Sequence, residues 1–297
     1  MKLIGLFAFL FLCIPSTALS FESYSDFQSR MQILAASNGF VERFELVTTE
    51  TGNSVTGLIV RGFDGNEEKI NQLVVGTHHG DEYGSPIIAM AFAEDIIRDR
   101  MVGRDVYIIP ILIPEAYQAD TRLYRGVNPN RDYPGPCGCH DLSTCNHPFQ
   151  LKATQALANL IEQNRITAAI TVHNPWGTNH YPWSDNRNTY SEEHSIFTSI
   201  LDQTYRTTKY RHGTVPDMFY EMRGNFIDYA FWQYGVWGFL IEVAGGKKPS
   251  PQTIISETAI HVPRFRQLLV MAPSTRSSNN GHPGCTFRFG PLIDAGE

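Results

Sequence analysis

Two histidines and two acidic residues lie close together in the stretch GTHHGDEYGSP, residues 76–86. An imidazole and a carboxylate three positions apart can be brought onto one metal ion by a single turn of chain. The stretch offers two such pairs, His79 with Glu82 and His78 with Asp81. Zinc sites that hydrolyse substrates commonly use two histidines and one acid and leave one position open to water. The stretch therefore predicts half of a zinc site, with a purely structural polar cluster as the alternative.

The missing histidine has a candidate at the end of a distant apolar run. His173 is the last residue of AAITVH, which is typical of a buried strand. Ser85 and Pro86 are a typical start of a helix, so HHGDEYG is predicted to be a strand-to-helix loop. Open α/β sheets bind ligands at the carboxyl ends of their strands. We therefore expect His173 to meet the histidine loop at one edge of a sheet.

The rest of the pattern is that of an α/β protein. Five apolar runs are predicted to be strands: VTGLIVRG, NQLVVGTH, DVYIIPILIP, AAITVH and VWGFLIEVAG. Five amphipathic stretches between them are predicted to be helices: 86–100, 149–164, 191–208, 225–235 and 254–271. Such alternation predicts a three-layer α/β/α fold, in which helices flank a central, mixed but mostly parallel, twisted sheet.

The N-terminal segment MKLIGLFAFLFLCIPSTALS predicts export. It has one lysine, an apolar run and a small-residue ending, which is the layout of a cleavable signal peptide over residues 1–20. The run is too short to span a membrane. Cys13 follows Leu12, where a lipid-attachment site needs a small residue, so no stable membrane anchor is expected. The predicted location is secreted or periplasmic.

The mature chain is predicted to be one acidic domain, residues 21–297. Removing Lys2 with the signal leaves 23 basic and 30 acidic residues, so nucleic acid is a poor partner. A mature length of about 275 residues suits a single α/β domain with a large core. No repeat or low-complexity linker divides the chain, and we expect a monomer.

Four cysteines remain after the signal: Cys137, Cys139, Cys145 and Cys285. An oxidising compartment favours disulfides, and four cysteines allow three pairings. A bond between Cys137 and Cys139 would be strained, and either remaining pairing ties the C-terminal tail to the loop that holds the first three cysteines. A second zinc site that includes His140 or His147 is the alternative.

Three further stretches carry chemically active residues. RGVNPNRDYP, residues 125–134, holds two arginines and is either a solvated loop or an anion-binding loop. Glu242 lies in the apolar strand GFLIEVAGG, where an acid is costly to bury. It is therefore either half of a buried ion pair or a general base with a shifted pKa. FYEMRGNFID contributes Tyr220 and Asp228.

Together these stretches resemble the zinc metallocarboxypeptidase family, whose familiar member is the pancreatic enzyme. The resemblance runs from about residue 70 to 245 and covers the H-x-x-E pair, the distant histidine, the N-R motif and the spacing of tyrosine, glycine, aspartate and glutamate. The matching residues are His79, Glu82, His173, Asn130, Arg131, Tyr220, Gly224, Asp228 and Glu242. The chain departs from the family pattern at Asn128, Asp132 and Asn174.

The resemblance implies one Zn²⁺ per chain, held by His79, Glu82 and His173. It implies that zinc polarises the scissile carbonyl and acidifies a water, and that Glu242 acts as general base. The arginine that supports the oxyanion is Arg122 or Arg125, and we prefer Arg122 because Arg125 directly adjoins the N-R segment.

The resemblance also assigns the substrate contacts. The substrate is a peptide with a free C-terminal carboxylate, which Asn130 and Arg131 bind. Tyr220 closes over it, Arg125 is a further candidate contact, and Ile227 contacts an apolar or aromatic terminal side chain. About 58 residues separate the expected cleavage site from His79, which leaves no room for a pancreatic-type propeptide.

Three other functions stay open. The short exported form and the HGDE segment are also similar to bacterial members that trim cell-wall stem peptides, in which Arg223 would hold the extra carboxylate of diaminopimelate. A deacylase of the aspartoacylase type shares the H-x-x-E and N-R features. A catalytically inactive binding module would keep the fold, but it would not explain why the proposed ligands and base are all present.

Overall fold

The structure is a computed structural model that describes residues 21–63, 69–136 and 148–284. One mixed sheet of eight strands organises this part of the chain. The strands are β1 (Val41–Thr48), β2 (Ser54–Val60), β3 (Ile70–Gly76), β4 (Arg104–Ile109), β5 (Ala168–His173), β6 (Thr178–His180), β7 (Arg211–Gly213) and β8 (Trp237–Glu242). Their order in the sheet is β1-β2-β4-β3-β5-β8-β6-β7.

Eight α-helices and one 3₁₀ turn surround the sheet in the described ranges. The helices are α1 (Tyr24–Ser37), α2 (Gly84–Arg98), α3 (Pro114–Gln118), α4 (Lys152–Gln163), α5 (His194–Tyr205), α6 (Val215–Met218), α7 (Phe226–Tyr234) and α8 (Pro251–Met271). The 3₁₀ turn covers Pro129–Arg131. Helices α2, α5 and α8 pack together, whereas α4 contacts α7, and both groups touch the sheet. The predicted α/β fold with a mixed, mostly parallel sheet is confirmed.

The four central strands, β4, β3, β5 and β8, run parallel to one another. Their interior positions are almost continuously apolar and buried, as expected of parallel strands covered on both faces. In the β5–β8 register, His173 lies directly opposite Glu242. The end of β3 lies beside the end of β5, with Gly76 opposite Val172. Three loops of chemical interest therefore leave the same edge of the sheet.

The five predicted strands correspond to β2, β3, β4, β5 and β8, and the five predicted helices to α2, α4, α5, α7 and α8. The run DVYIIPILIP ends its strand at Ile109, because Pro110 has no N–H to continue the ladder. Helix α8 begins three residues before its predicted start, where Ser250 caps it by accepting from the Thr253 N–H (3.1 Å). Strand β1, helix α1 and the short elements β6, β7, α3 and α6 were not predicted.

The predicted signal peptide and all four mature cysteines lie outside the described residues. The export, disulfide and second-zinc hypotheses therefore stay predictions. In the described ranges, no helix has both the length and the apolar composition that a membrane crossing requires.

Gly80, in the loop between β3 and α2, allows that loop to lie against α3. A Cβ at this position would be 1.9 Å from the carbonyl carbon of Ala116. We expect Gly80→Ala to lower the free energy of unfolding by about 3 kcal/mol, because helix backbone cannot move aside as a flexible side chain can. Gly39→Ala is the matched control, since a Cβ there would have no atom within 4 Å, and it should change stability by less than about 0.5 kcal/mol. Denaturant unfolding measures both, and equal stability of the two variants would contradict the close approach.

Candidate active site

A buried cluster of His79, Glu82 and His173 forms the centre of the site. His79 and Glu82 lie on the loop from β3 to α2, and His173 is the last residue of β5. One ligand atom from each residue lies within 4.8 Å of the other two, and all three side chains are buried. They are together because β3 and β5 are neighbouring parallel strands whose ends share one edge of the sheet.

The carboxylate of Glu82 joins the cluster. Its Oε1 lies 2.7 Å from His79 Nδ1, and its Oε2 lies 2.9 Å from His173 Nδ1. The Asn174 N–H donates to Oε2 (3.2 Å), and Arg122 Nη1 donates to Oε1 (3.1 Å). Burial by itself raises the pKa of Glu82, but its interactions with His79 and His173 lower that pKa well below the usual range. Glu82 is therefore ionised.

The hydrogen bonds of Asn128 determine the proton position on His79. Asn128 Oδ1 accepts from the backbone N–H of Asn130 (3.1 Å), which identifies this atom as the amide oxygen. The same oxygen lies 2.9 Å from His79 Nε2, so Nε2 carries the proton and Nδ1 has the lone pair. Burial also lowers the pKa of His79 to about 4 and keeps the ring neutral at physiological pH. A second partner that fixes the tautomer is typical of a metal-binding histidine.

The same atoms attract a cation. Arg122 Nη1 lies 3.1 Å from His79 Nδ1 and 3.1 Å from Glu82 Oε1, so a guanidinium N–H faces two of the three possible ligand atoms. Without positive charge between them, a lone pair and a carboxylate oxygen 2.7 Å apart would repel each other. Two imidazoles and one carboxylate suit Zn²⁺, so the residues present fit the metal.

The alternative pair, His78 with Asp81, is not brought to the cluster. His78 Nε2 lies 3.0 Å from the Tyr133 hydroxyl, and Nδ1 lies 3.1 Å from Thr171 Oγ1, so both ring nitrogens have partners. Burial lowers the pKa of His78 well below its ordinary value. Asp81 forms an ion pair with Lys247 instead. His78 and Asp81 therefore hold the loop through their own partners and do not belong to the ligand cluster.

Glu242, at the end of β8, lies beside the cluster. It is opposite His173 in the strand register, and its Oε2 lies 3.5 Å from the Trp176 N–H. Burial raises the pKa of Glu242 well above its ordinary value, and the nearby charge of Glu82 adds to the rise. The N–H of Trp176 and the cations Arg122 and Arg131 oppose it in part. A carboxylate with a raised pKa is a better proton acceptor than an ordinary one.

Asn130 and Arg131 lie on the 3₁₀ turn at the same cavity. Asn130 Oδ1 accepts from the Phe226 N–H (3.0 Å), and Asn130 Nδ2 lies 3.4 Å from His173 Nε2. Arg131 Nη1 donates to the carbonyl of Asn130 (2.6 Å), and Nη2 lies 3.5 Å from the Tyr220 hydroxyl. Burial lowers the pKa of the Arg131 guanidinium from its ordinary value. The turn thus presents a largely desolvated cation beside a half-exposed tyrosine.

Gly224 lets the chain that carries Tyr220 pass closely over this turn. It has a φ of +70°, and a Cβ there would be 2.7 Å from the Arg131 carbonyl oxygen.

Asp228 fixes the following helix. Its carboxylate accepts from the N–H and hydroxyl of Ser184 (3.0 and 3.2 Å) and from Asn225 Nδ2 (2.8 Å). Burial and the nearby Asp185 raise the pKa of Asp228 to about 7.

These side chains open on one cleft. Seven residues predicted from sequence line it: His79, Arg122, Asn130, Arg131, His173, Tyr220 and Glu242. Six others complete its wall: Trp176, His180, Val215, Phe219, Met222 and Leu240. The lining therefore combines charged and polar groups with largely apolar side chains.

Three predicted substrate contacts do not line the cleft. Arg125 is exposed in a turn with a φ of 52°, in which Tyr124 and Val127 bond to each other. Of the two candidate arginines, only Arg122 reaches the cluster. Ile227 is fully buried on the first turn of α7 and packs against Gly238 of β8, while Arg223 is half-buried outside the cleft lining.

Two of the residues that the structure adds carry little signal in the sequence. Asn128 lies inside the N-R motif, and its spacing of two from Asn130 is typical of a side chain that bonds to nearby backbone. His180 is a lone histidine in a three-residue strand. Its Nδ1 lies 3.1 Å from the Gly213 carbonyl, and its Nε2 lies 2.9 Å from Thr178 Oγ1. No spacing rule marks such a residue.

Comparison with known proteins agrees with this geometry. The family model Peptidase_M14, described as zinc carboxypeptidase, matches residues 28–262. A search of curated proteins found no match. Carboxypeptidase A from Helicoverpa armigera has a TM-score of 0.75 at 15% identity and covers 85% of this chain and 74% of its own.

Two further solved structures share the fold. Bovine thrombin-activatable fibrinolysis inhibitor, solved with tick carboxypeptidase inhibitor, has a TM-score of 0.73 at 17% identity, over 85% of this chain and 97% of its own. The metallo-carboxypeptidase from Burkholderia cenocepacia has a TM-score of 0.63 at 13% identity, over 84% and 69%. At these identities the structures establish the fold, whereas the family model spans most of the chain. The chain belongs to the zinc carboxypeptidase family and is a metallocarboxypeptidase hydrolase.

Proposed function

We propose that this protein is an exported, monomeric carboxypeptidase that binds one zinc ion and removes the C-terminal residue of peptides. The observation that carries the proposal is the position of Arg131. Its guanidinium lines the same cleft as the His79, Glu82 and His173 cluster and the carboxylate of Glu242. A fixed cation near a hydrolytic centre selects substrates whose free carboxylate lies close to the bond to be cut.

Arg131 and Asn130 are the proposed partners of the terminal carboxylate. Arg131 is largely desolvated, and its neighbour Tyr220 is 49% exposed at the cleft, so the hydroxyl can reach a bound substrate. A planar guanidinium binds a carboxylate through two parallel N–H bonds, which are strong when water is excluded. The site therefore recognises the C-terminal end of a peptide substrate.

The chemistry is assigned to residues at the strand ends. Zinc, when bound by His79, Glu82 and His173, supplies a Lewis acid that polarises the scissile carbonyl and acidifies a water. Glu242 takes the proton from the attacking water and passes it to the leaving amine. Arg122, beside Glu82, offsets the negative charge that develops on the carbonyl oxygen.

The terminal side chain is proposed to lie against Val215, Phe219, Met222 and Leu240 in the apolar part of the cleft. His180 closes this wall as a neutral ring. Its Nδ1–H donates to the Gly213 carbonyl, its Nε2 faces the Thr178 hydroxyl, and burial lowers its pKa to about 4. The described residues of this wall offer no charged partner, which favours an apolar or aromatic terminal residue.

The ligand cluster predicts zinc binding. Purified protein should carry about one zinc per chain. A chelator should abolish activity and added zinc should restore it, because the proposed reaction needs the metal that these ligands bind. His79→Ala should lose both zinc and activity. His78→Gln is the matched control on the same loop, since both ring nitrogens of His78 bond away from the cluster, and it should retain zinc. Metal analysis and thermal unfolding decide, and full zinc in His79→Ala would refute the ligand set.

Glu242→Gln should separate the base from the ligands. The change keeps the shape of the side chain but removes its proton affinity, so kcat should fall by about two orders of magnitude or more. Zinc content and the unfolding temperature should stay close to wild type, because Glu242 is proposed not to ligate the metal. Steady-state kinetics with metal analysis tests this, and near-normal turnover would exclude Glu242 as the base.

Recognition of the terminal carboxylate predicts a preference between two matched substrates. A peptide acid should lose its last residue at least about a hundredfold faster than its C-terminal amide, since losing a buried charge pair costs a few kcal/mol. Arg131→Ala should reduce that ratio by slowing the acid. Arg223→Ala is the matched control, because Arg223 lies outside the cleft lining, and its ratio should match wild type.

The same assay separates the other hypotheses. Peptides ending in Phe or Leu should be cleaved faster than those ending in Lys or Glu if the apolar wall contacts the terminal side chain. A preference for diaminopimelate-ending stem peptides, together with a loss in Arg223→Ala, would instead support the cell-wall substrate. Equal cleavage of acid and amide would exclude an exopeptidase, and cleavage limited to N-acyl amino acids would support the deacylase.

A further inference from the structure

The backbone that follows Glu242 connects the two halves of the site. The Val243 N–H donates to the carbonyl of His173 (2.7 Å). Farther along, Lys247 bonds to the loop that carries Glu82. Its carbonyl accepts from the Tyr83 N–H (2.9 Å), and its ammonium pairs with Asp81. The segment 243–248 thus touches the chain beside His173 and the loop that carries the other two proposed ligands.

Two glycines allow the sharp turn of this segment. Gly245 and Gly246 have φ values of 102° and 83°, which glycine adopts without strain. The strand side of this turn is bonded at two successive residues. The Val243 N–H donates to the His173 carbonyl, and the Ala244 N–H, the next along the chain, donates to the Tyr210 hydroxyl (2.9 Å).

Tyr210 is itself held by a buried acid. Its hydroxyl donates to Oε2 of Glu257 on α8, and Glu257 is 2% exposed. Lys209 Nζ lies 3.2 Å from Glu257 Oε1, and His261 Nε2 lies 3.4 Å from Oε2. Burial by itself raises the pKa of Glu257, but hydrogen bonds from His261, Tyr210 and Lys209 lower it to about 2. The acceptor is therefore ionised, and the bond from Tyr210 is charge-assisted.

An ionised acceptor fixes the direction of the hydroxyl. Because the Tyr210 proton points at Glu257, a lone pair is left for the Ala244 N–H, and the phenol cannot rotate without losing both bonds. Ala244 lies two residues after Glu242, so the bond to Tyr210 constrains the backbone next to the residue that carries the carboxylate. Misplacement of a catalytic group by about 1 Å can cost about a hundredfold in rate.

We propose that Tyr210 and Glu257 are positioning residues that hold Ala244 and thereby aim Glu242 at the substrate. The proposal rests on the proposed function, in which Glu242 is the general base. Neither residue lines the cleft, and each acts through the backbone of the segment after β8.

Tyr210→Phe tests the proposal because it removes the hydroxyl and keeps the ring. The kcat of the zinc-loaded enzyme should fall about tenfold, while KM and zinc content stay within about twofold of wild type. Tyr205→Phe is the matched control, because its hydroxyl belongs to the same cluster but bonds to His261 Nδ1 (3.0 Å) rather than to Ala244. It should leave kcat within about twofold even if its unfolding temperature falls.

A double-mutant cycle gives the readout that a merely structural role would not change. In a Glu242→Gln background, Tyr210→Phe should lower the residual kcat by less than about twofold, since the group that it aims is already absent. Wild-type kcat in Tyr210→Phe, or an unchanged tenfold loss in the Glu242→Gln background, would overturn the proposal. Near-normal turnover of Glu242→Gln alone would instead show that the proposed function has failed.

Glu257→Gln covers the case in which Tyr210→Phe does not fold. The amide still offers an oxygen to the Tyr210 hydroxyl but without charge, so kcat should fall about threefold at unchanged KM. Full kcat in a folded Glu257→Gln enzyme would show that the charge of Glu257 does not contribute to positioning and would overturn that half of the proposal.

Discussion

The site depends on one buried carboxylate. Glu82 contacts His79 through one oxygen and His173 through the other, and it also accepts from Arg122 and from the backbone N–H of Asn174. A buried anion without such donors would be strongly destabilising, and the lone pair of His79 that faces Oε1 adds to the need for positive charge at this point. The parallel pairing of β3 and β5 brings the two histidines to Glu82, because it places the loop after one strand beside the last residue of the other. Arg122 reaches the carboxylate from the chain after α3.

Glu242 lies close to the same carboxylate yet has the opposite electrostatic setting. The pKa of Glu82 is lowered well below its ordinary value by the two histidines, whereas burial and Glu82 itself raise that of Glu242. Two neighbouring acids with pKa values driven apart can divide their roles, one staying ionised and the other exchanging a proton. The sheet register that sets His173 opposite Glu242 fixes the separation on which this division depends.

The sequence predicted the elements that are long and buried and the residues at their ends. Strands β3, β5 and β8 are continuous apolar runs, so His173 and Glu242 could be placed at strand ends from the order of residues alone. The choice between His78 and His79 could not be made from spacing, because both pairs have the same separation. Tertiary contacts decide it, since Tyr133 and Thr171 occupy both nitrogens of His78.

The positions of Ile227, Arg125 and Arg223 show a second kind of limit. Motif spacing aligns a residue along the chain but does not say which face of a helix or turn it occupies. Ile227 faces β8 from the first turn of α7, and Arg125 lies in a left-handed turn. The apolar wall of the cleft comes instead from short elements without a strong sequence pattern, such as α6 and the chain around Met222.

The strand-end residues and most of the cleft wall come from different kinds of structural element, and this difference has a physical consequence for the site. The proposed metal ligands and base are set by parallel strands whose hydrogen-bond register tolerates almost no shift, because a slip by one residue would reverse every side chain. Most of the cleft wall is set by loops and short elements, where a change of side chain disturbs few other contacts. Only part of the wall is independent of the chemistry. His180 and Leu240 lie on the paired strands β6 and β8, which also set Thr178 opposite Glu242. Val215 and Phe219 at α6, and Met222 beyond it, lie outside the strands, so these side chains can change without shifting the register that positions His173 and Glu242.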